Sequence, residues 1–406
     1  MSENTTQPAR PQGLRLQLGL AFLAFILIGA NDGAVGVLLP SLQAFYRVDK
    51  ATIALLFLAS TAGYLSAAVT SGALVERWGL RRFLLLGTSS FLSAVALLTL
   101  HPPFLLVLGV LLLLGFGVAV LDAGLNTYIA GLPDNTALLN YLHAFYGLGA
   151  LIGPLVASGV LAVGLGWNSV YAVWGAISVV VLAGVLGGFS RESATPPAAH
   201  PEGAAWRAAL RLRVVPLAAL FLLVYAGAEV SLGSWSYSLL TEERREAALL
   251  AGWIVSGYWL GLTLGRLLLG RLAARIGNRR LIEGCLAGVV LGLAVVWLIP
   301  GSVGAAVGLG CTGFSLGPIF PTTIALMADR VPSRLLPSAI GFLASAASIG
   351  VAIFPWLAGN LAQQIGLWTL LPYVMVITAV MLGLWWAIGR TPSSAAPPAM
   401  ISLSTD

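Results

Sequence analysis

Charge is the scarcest property of this sequence. Only 9% of its 406 residues are Asp, Glu, Lys or Arg, while 58% are hydrophobic. A soluble domain of that composition would expose apolar patches large enough to aggregate, so the chain reads as an integral membrane protein. Cysteine is nearly missing too. Cys285 and Cys311 both fall inside apolar runs, and with three scattered histidines they supply neither a disulfide framework nor a metal cluster. The ten-residue segments of alternating polarity that mark an outer-membrane barrel are absent. So are a catalytic triad, a phosphate-binding loop and any metal-ligand spacing, so an enzyme reading has no residue to stand on and no metal or cofactor is expected. Lysine, finally, is almost wholly replaced by arginine.

What is abundant is apolar sequence in pieces of about 20 residues, each long enough as a helix to cross a hydrocarbon core of ~30 Å. Lipid offers the backbone no partner, so an all-α integral membrane fold is expected. Twelve spans are expected, at roughly 16–40, 51–75, 82–100, 104–131, 137–163, 168–189, 214–239, 248–270, 281–299, 302–328, 336–362 and 368–389. The first run is too long for a signal-peptide core, holds Asp32 and is followed by no small-residue cleavage pattern, so it counts as a true span. The longest polar stretch, "SRESATPPAAHPEGAAWRAALRLR", separates six spans from six. The expected organisation is a cytoplasmic tail over 1–15, a six-helix bundle over 16–189 and a cytoplasmic linker over 190–213. A second six-helix bundle follows over 214–389, then a disordered cytoplasmic tail over 390–406. A long linker between two tightly connected bundles lets them move relative to each other.

The net charge is +6, and its distribution explains it better than an acidic partner does. With the N-terminus in the cytoplasm, the inner segments carry most of the arginines, and the outer loops hold only Arg47, Lys50, Arg244 and Arg245. That asymmetry follows the positive-inside rule, giving cytoplasmic N- and C-termini, a multi-pass location in the cell's inner membrane and no nucleic-acid partner.

The two halves repeat a motif at matching places. After span 2 the sequence reads Gly72-Ala-Leu-Val-Glu-Arg-Trp-Gly79-Leu-Arg-Arg82, and after span 8 Gly270-Arg-Leu-Ala-Ala-Arg-Ile-Gly277-Asn-Arg-Arg280. The first glycine of each copy would allow close helix approach and the second a tight turn, with the arginines at the interface to pair across an inner gate. The plainer alternative is a basic loop that only signals topology. At these residues the chain resembles the major facilitator superfamily over essentially its whole length. The resemblance implies twelve helices in two pseudo-symmetric six-helix bundles, a cavity lined by spans 1, 4, 7 and 10, and alternating access. That signature loop usually carries Asp where Glu76 stands, and the second copy has Ala274 at the acidic position. The gate residues are then Glu76, Arg77, Arg81, Arg271 and Arg275. Asp329, at the end of span 10, is expected to pair with Arg271 or Arg275.

An ionisable group deep in a span is costly unless it faces a cavity or a partner, so each is a functional candidate. Asp32 in span 1, Asp122 in span 4, Glu229 in span 7 and Arg266 in span 8 qualify. Asp32 sits beside Asn31 in "GANDGAVG". Asp122 has Asn126 one turn on, so each acid has an amide neighbour. A carboxylate in a partly dry cavity is costly when ionised and suited to exchanging a proton; the alternative for each is a structural hydrogen bond between helices. Tyr225 and Glu229 share a face of span 7, and Arg266 either neutralises Glu229 or joins a binding site. Trp235, Tyr258 and Trp259 are interface anchors or, facing a cavity, rings on which a sugar could stack. Pro318 and Pro321 in "GFSLGPIFPTTIAL" should kink or break span 10 mid-membrane.

A narrower resemblance rests on "NDGAVGVLLP", "LDAGLNTYIAGLPDNTALLNYLHAFYGLGALIGPLV", "YAGAEVSLGSW", "GLTLGRLLLGR" and "GPIFPTTIA". These stretches resemble the fucose permease-related sugar symporters, the fucose–galactose–glucose:proton symporter group. The resemblance implies a proton-coupled symporter, with Asp32 and Asp122 as coupling acids and Asn126, Asn140 and His143 at the inner end of the sugar path. His143 on its own residues reads as a satisfied helix-end histidine. With Asn31, Tyr225, Glu229, Trp235, Tyr258 and Trp259 these complete the expected substrate site. The substrate would be a small neutral hexose or deoxyhexose, the ion H+ with Na+ as alternative, the setting the lipid bilayer and the protein a monomer. The alternative function is a proton-coupled exporter of drugs or other amphipathic molecules, since Gly147-Leu-Gly149-Ala-Leu-Ile-Gly153-Pro154 is similar to the glycine–proline motif of such exporters.

Overall fold

In the computed structural model, residues 13–133, 135–189 and 203–391 are described. The expected tails up to residue 12 and beyond 391, and the linker over 190–202, lie outside the described residues, as does the side chain of Arg271. The first half comprises α1 (Leu14–Tyr46), the short α2 (Lys50–Ile53), α3 (Leu55–Thr99), α4 (Phe104–Ala130), α5 (Asn135–Ala162) and α6 (Trp167–Gly188). Helix α7 (Gly203–Arg211) belongs to the linker. The second half comprises α8 (Val214–Ser238), α9 (Ala248–Ile276), α10 (Asn278–Leu298), α11 (Gly301–Leu316), α12 (Ile319–Arg330), α13 (Leu336–Gln364) and α14 (Leu370–Gly389). Large apolar side chains left bare on the outside, such as Val69 at 86% and Leu105 at 81% exposure, fit hydrocarbon rather than water.

Among the described residues, eleven segments are long and apolar enough to cross a membrane, and a twelfth crossing is hidden in α3. Gly79 interrupts that helix with φ 73° and ψ 161°. Ser60 and Gly63 pack on Leu112 and Gly115 of α4, while Gly87 and Phe91 pack on Gly117 and its neighbours. A straight helix would separate residues 60 and 91 by about 46 Å at 1.5 Å per residue, so α3 folds back on itself and crosses twice. Gly277, the matching glycine of the second motif copy, also has a left-handed φ of 86°. Both turns therefore need glycine, as the repeat suggested. The first glycine of the second copy does not do what its position implied: a Cβ at Gly270 would meet open space, so no helix approaches closely there.

Span 10 is broken in the middle. Helix α11 ends at Leu316, α12 begins at Ile319, and Gly317 and Pro318 lie between. Proline lacks the N–H that would continue the ladder.

The helices pack mainly within their own half: α1 with α5 and α6, α3 with α4, α8 with α13 and α14, and α11 with α9 and α10. Glycines let backbones touch at these seams. Gly29 and Gly33 of α1 meet Tyr146 and Ala150 of α5, while Gly149 and Gly153 of α5 meet Ile26 and Ala30 of α1. In the second half Gly350 of α13 meets the Leu223 carbonyl of α8, and Gly261 and Gly265 of α9 meet Gly310 and Phe314 of α11. The exporter-like glycine motif of α5 is thus occupied with packing: two of its glycines against α1, and Gly147 against Thr263 of α9.

Candidate functional site

The halves close on each other at the end carrying the connections after α1 and α8. Lys50, the only lysine of the chain, sits at the start of α2 and pairs with Glu242 of the other half at 2.7 Å. Its backbone N–H donates to Gln363 Oε1 at the end of α13, at 3.0 Å. Gly359 lets α13 rest on Ala54 beside this pair, and Gly36 of α1 lies against the backbone of Gly233 and Ser234 in α8. The lysine clamp therefore sits on tight backbone contacts that leave little room for a solute.

Deeper in, the ionisable groups found from sequence come together in two sets. In the first half, Asp32 accepts from the Tyr146 hydroxyl at 3.0 Å and from Asn31 Nδ2 at 3.3 Å. Asp122 accepts from the Tyr64 hydroxyl at 2.9 Å and from Asn126 Nδ2 at 2.8 Å. The two carboxylates lie within electrostatic reach of each other, and all four donors are neutral. His143 is exposed, edge-on to Phe25, and within electrostatic reach of both Asp122 and Arg266.

In the second half, Glu229 accepts from Tyr225 one turn earlier in α8. It is also paired with Arg266 of α9, whose Nη2 lies 3.3 Å and 3.4 Å from its two carboxylate oxygens. Arg266 Nε donates to the Gly317 carbonyl at 3.3 Å, a backbone group left without its helical donor because Pro321 stands four residues on. The Arg266 side chain is 34% exposed and that of Glu229 13%; Asp32 and Asp122 are likewise only part-buried. These groups border accessible space rather than sealed core.

Other expected residues stand apart from this centre. Trp235 is 1% exposed, and its indole N–H donates to the Pro355 carbonyl at 2.9 Å, so its polar atom is spent on joining α8 to α13. The Tyr258 hydroxyl donates to the Glu229 backbone carbonyl at 2.8 Å, and that side chain is also fully enclosed. Trp259 packs its ring edge on Gly233, and its buried N–H finds no acceptor among the described residues. Asn140 is exposed one turn beyond His143 on α5. Glu76, Arg77, Arg275 and Asp329 are exposed at the opposite end from Lys50. Arg81 reaches the Leu186 carbonyl of α6 at 2.7 Å, which ties its turn to its own half. Sequence reasoning missed Tyr64 and Tyr146, the two hydroxyls that hold the first-half acids.

The profile of a family described as Major Facilitator Superfamily matches residues 21–245 and 237–403. The glucose/mannose transporter GlcP of Bacillus subtilis is 23% identical, over 92% of this chain and 94% of its own. A glucose/galactose transporter of Brucella abortus is 25% identical, over 85% and 87%. A yeast relative, "Bypass of stop codon protein 6" of Saccharomyces cerevisiae, is 24% identical over 92% and 82%. Among solved structures, the nucleoside transporter NupG superposes with a TM-score of 0.77 at 14% identity, covering 94% of this chain and 99% of that one. A bacterial homologue of the human lysosomal transporter Spinster, inward-facing and unoccupied, gives 0.75 at 12% identity, covering 94% and 98%. At those identities the structural likeness concerns the fold.

Proposed function

The chain belongs to the major facilitator superfamily, and on that premise we propose that it is a secondary transporter moving a neutral hexose together with a proton by alternating access. The observation that carries this reading is the pair of part-buried carboxylates, Asp32 and Asp122, held by neutral donors alone. A proton arriving at either one changes the net charge of the space between the halves, and closing that space around an uncompensated carboxylate is costly. Glu229 and Arg266 compensate each other, so among the described residues no unpaired cation beside them stands ready for a sugar acid or phosphate. The names of the glucose/mannose and glucose/galactose relatives support the same substrate class. Asn126 and His143 supply donors and acceptors of the kind that sugar hydroxyls require, whereas Tyr225 and Asn31 are buried and their donors are committed to Glu229 and Asp32. The arginine-rich end is assigned to the cytoplasm, which puts the Lys50 clamp outside and makes the conformation described here closed to the exterior.

The test is uptake of radiolabelled glucose into vesicles reconstituted with the full chain. Coupling to one proton lets a pH gradient of one unit hold a sugar gradient of about tenfold. Asp32→Asn should abolish that accumulation and preserve equilibrium exchange, since the neutral amide resembles the protonated acid. Accumulation at wild-type level in Asp32→Asn vesicles would make this carboxylate structural. Binding of sugar acids or lipophilic cations without any response to neutral hexoses would refute the substrate class.

A further inference from the structure

Tyr146 stands where α5 touches both halves. Its backbone carbonyl lies against Gly29 of α1, and Gly147, the next residue, packs on Thr263 of α9, one turn before Arg266. The α1 contact is fixed by four glycines at backbone distance, so Asp32 and Tyr146 cannot drift apart without separating two helices. The hydroxyl donates to Asp32 Oδ2 at 3.0 Å. Arg266 and Glu229 of the second half are also within electrostatic reach of it. The remaining charged and titratable groups around it are Asp122 on α4, held by Tyr64 of α3, and His143 one turn earlier on α5. Of the two side chains that hydrogen-bond to Asp32, that of Tyr146 is the one next in sequence to a glycine packed on α9.

We propose that Tyr146 is the positioning residue through which the protonation state of Asp32 is felt by the second half. This rests on the symport reading above and assigns a part of its machinery. A tyrosine hydroxyl has one proton to donate. While Asp32 is ionised, that proton is committed to its carboxylate. When Asp32 takes up a proton from water between the halves, its own O–H can donate to the tyrosine oxygen. The tyrosine hydroxyl then turns about its Cζ–Oη bond and donates toward Glu229. Tyr146 keeps its proton throughout; the one proton that moves passes between water and the Asp32 carboxylate. Loading of one half thus releases a hydroxyl donor from Asp32 to the field of the other half, near the point where α5 and α9 meet.

The experiment compares wild type, Tyr146→Phe, Asp32→Asn and the double variant in the same vesicles, with radiolabelled glucose. Accumulation under a pH gradient and equilibrium exchange are measured for each. Tyr146→Phe should keep exchange within about twofold of wild type and lose accumulation by about tenfold or more, the effect expected of removing a hydrogen bond to a charged acceptor. In the Asp32→Asn background the same substitution should change exchange by less than about twofold, because the group it acts through is already neutral. Wild-type accumulation by Tyr146→Phe would overturn the proposal. So would a loss of exchange as deep as the loss of accumulation, since the hydroxyl would then be structural, and so would a further large loss in the double variant. If the wild-type chain ignores the pH gradient altogether, the symport reading fails first and this role falls with it.

Discussion

The two halves hold their carboxylates in different company. In the first, Asp32 and Asp122 are held by Tyr146, Asn31, Tyr64 and Asn126, all neutral. In the second, Glu229 is held by Tyr225 and by the Arg266 guanidinium. The backbone scaffolds match: turn glycines at 79 and 277, and glycine seams between α1 and α5 and between α8 and α13. The difference therefore lies in the side chains placed on a repeated frame. Protonating a carboxylate held by neutral donors removes a charge from its surroundings, whereas protonating Glu229 would leave Arg266 without its counter-ion. On the proposed reading, the first half changes its charge and the second keeps it.

The largest effect that would sharpen this contrast is expected at the ion pair. Arg266→Leu alone leaves Glu229 uncompensated and should cost on the order of 2–4 kcal/mol of stability, slightly less than a fully buried pair because the arginine is 34% exposed. The double change Arg266→Leu with Glu229→Leu should recover most of it, read as the thermal unfolding midpoint in detergent. Asp32→Asn should shift that midpoint far less. Equal destabilisation by both would erase the distinction between the halves.

A middle-sized effect tests the shared frame. A β-branched side chain at Gly33 would strike the Ala150 carbonyl, and one at Gly350 the Leu223 carbonyl. Gly33→Val and Gly350→Val should each cost about 1–3 kcal/mol by overpacking. A large loss at one seam and none at the other would break the equivalence drawn between α1–α5 and α8–α13.

The smallest effect concerns the clamp. Lys50 and Glu242 are 22% and 33% exposed, and such pairs contribute at most about 1 kcal/mol. Lys50→Gln should raise the accessibility of a cysteine introduced at Ala54 by no more than about fivefold, in a background lacking Cys285 and Cys311. High salt should reproduce part of the change in the unmodified chain. A far larger rise would mean that the pair, rather than the backbone contacts beneath it, holds this end shut.

Much of this was legible in the sequence for physical reasons. Composition dictates helices in lipid, the repeated glycine–arginine loop marks two turns, and Pro318 announces the break beside it. Asp32, Asp122, Glu229 and Arg266 stood out because hydrocarbon penalises each. The i to i+4 spacing brought Asn126 to Asp122 and Tyr225 to Glu229. The spacing of 114 residues between Asp32 and Tyr146 carries no such rule, and a tyrosine in an apolar span looks like an interface anchor. Trp235 illustrates the converse: its ring suited a sugar, but nothing in the sequence shows that its N–H meets the Pro355 carbonyl 120 residues away. Lys50 in the sequence is one of a few outer-loop charges, because pairing across halves depends on how the halves meet.

That one lysine has an analytical consequence. A chain with a single ε-amine carries its own reporter: apart from the N-terminus, an acylating reagent has one place to react, and a lysine-specific protease one bond to cut, between Lys50 and Ala51. The amine is engaged with Glu242 when this end is shut, and the peptide beside it is held by Gln363. Rates of acylation and of cleavage at Lys50 would therefore time the opening of the unmodified protein, with no engineered label.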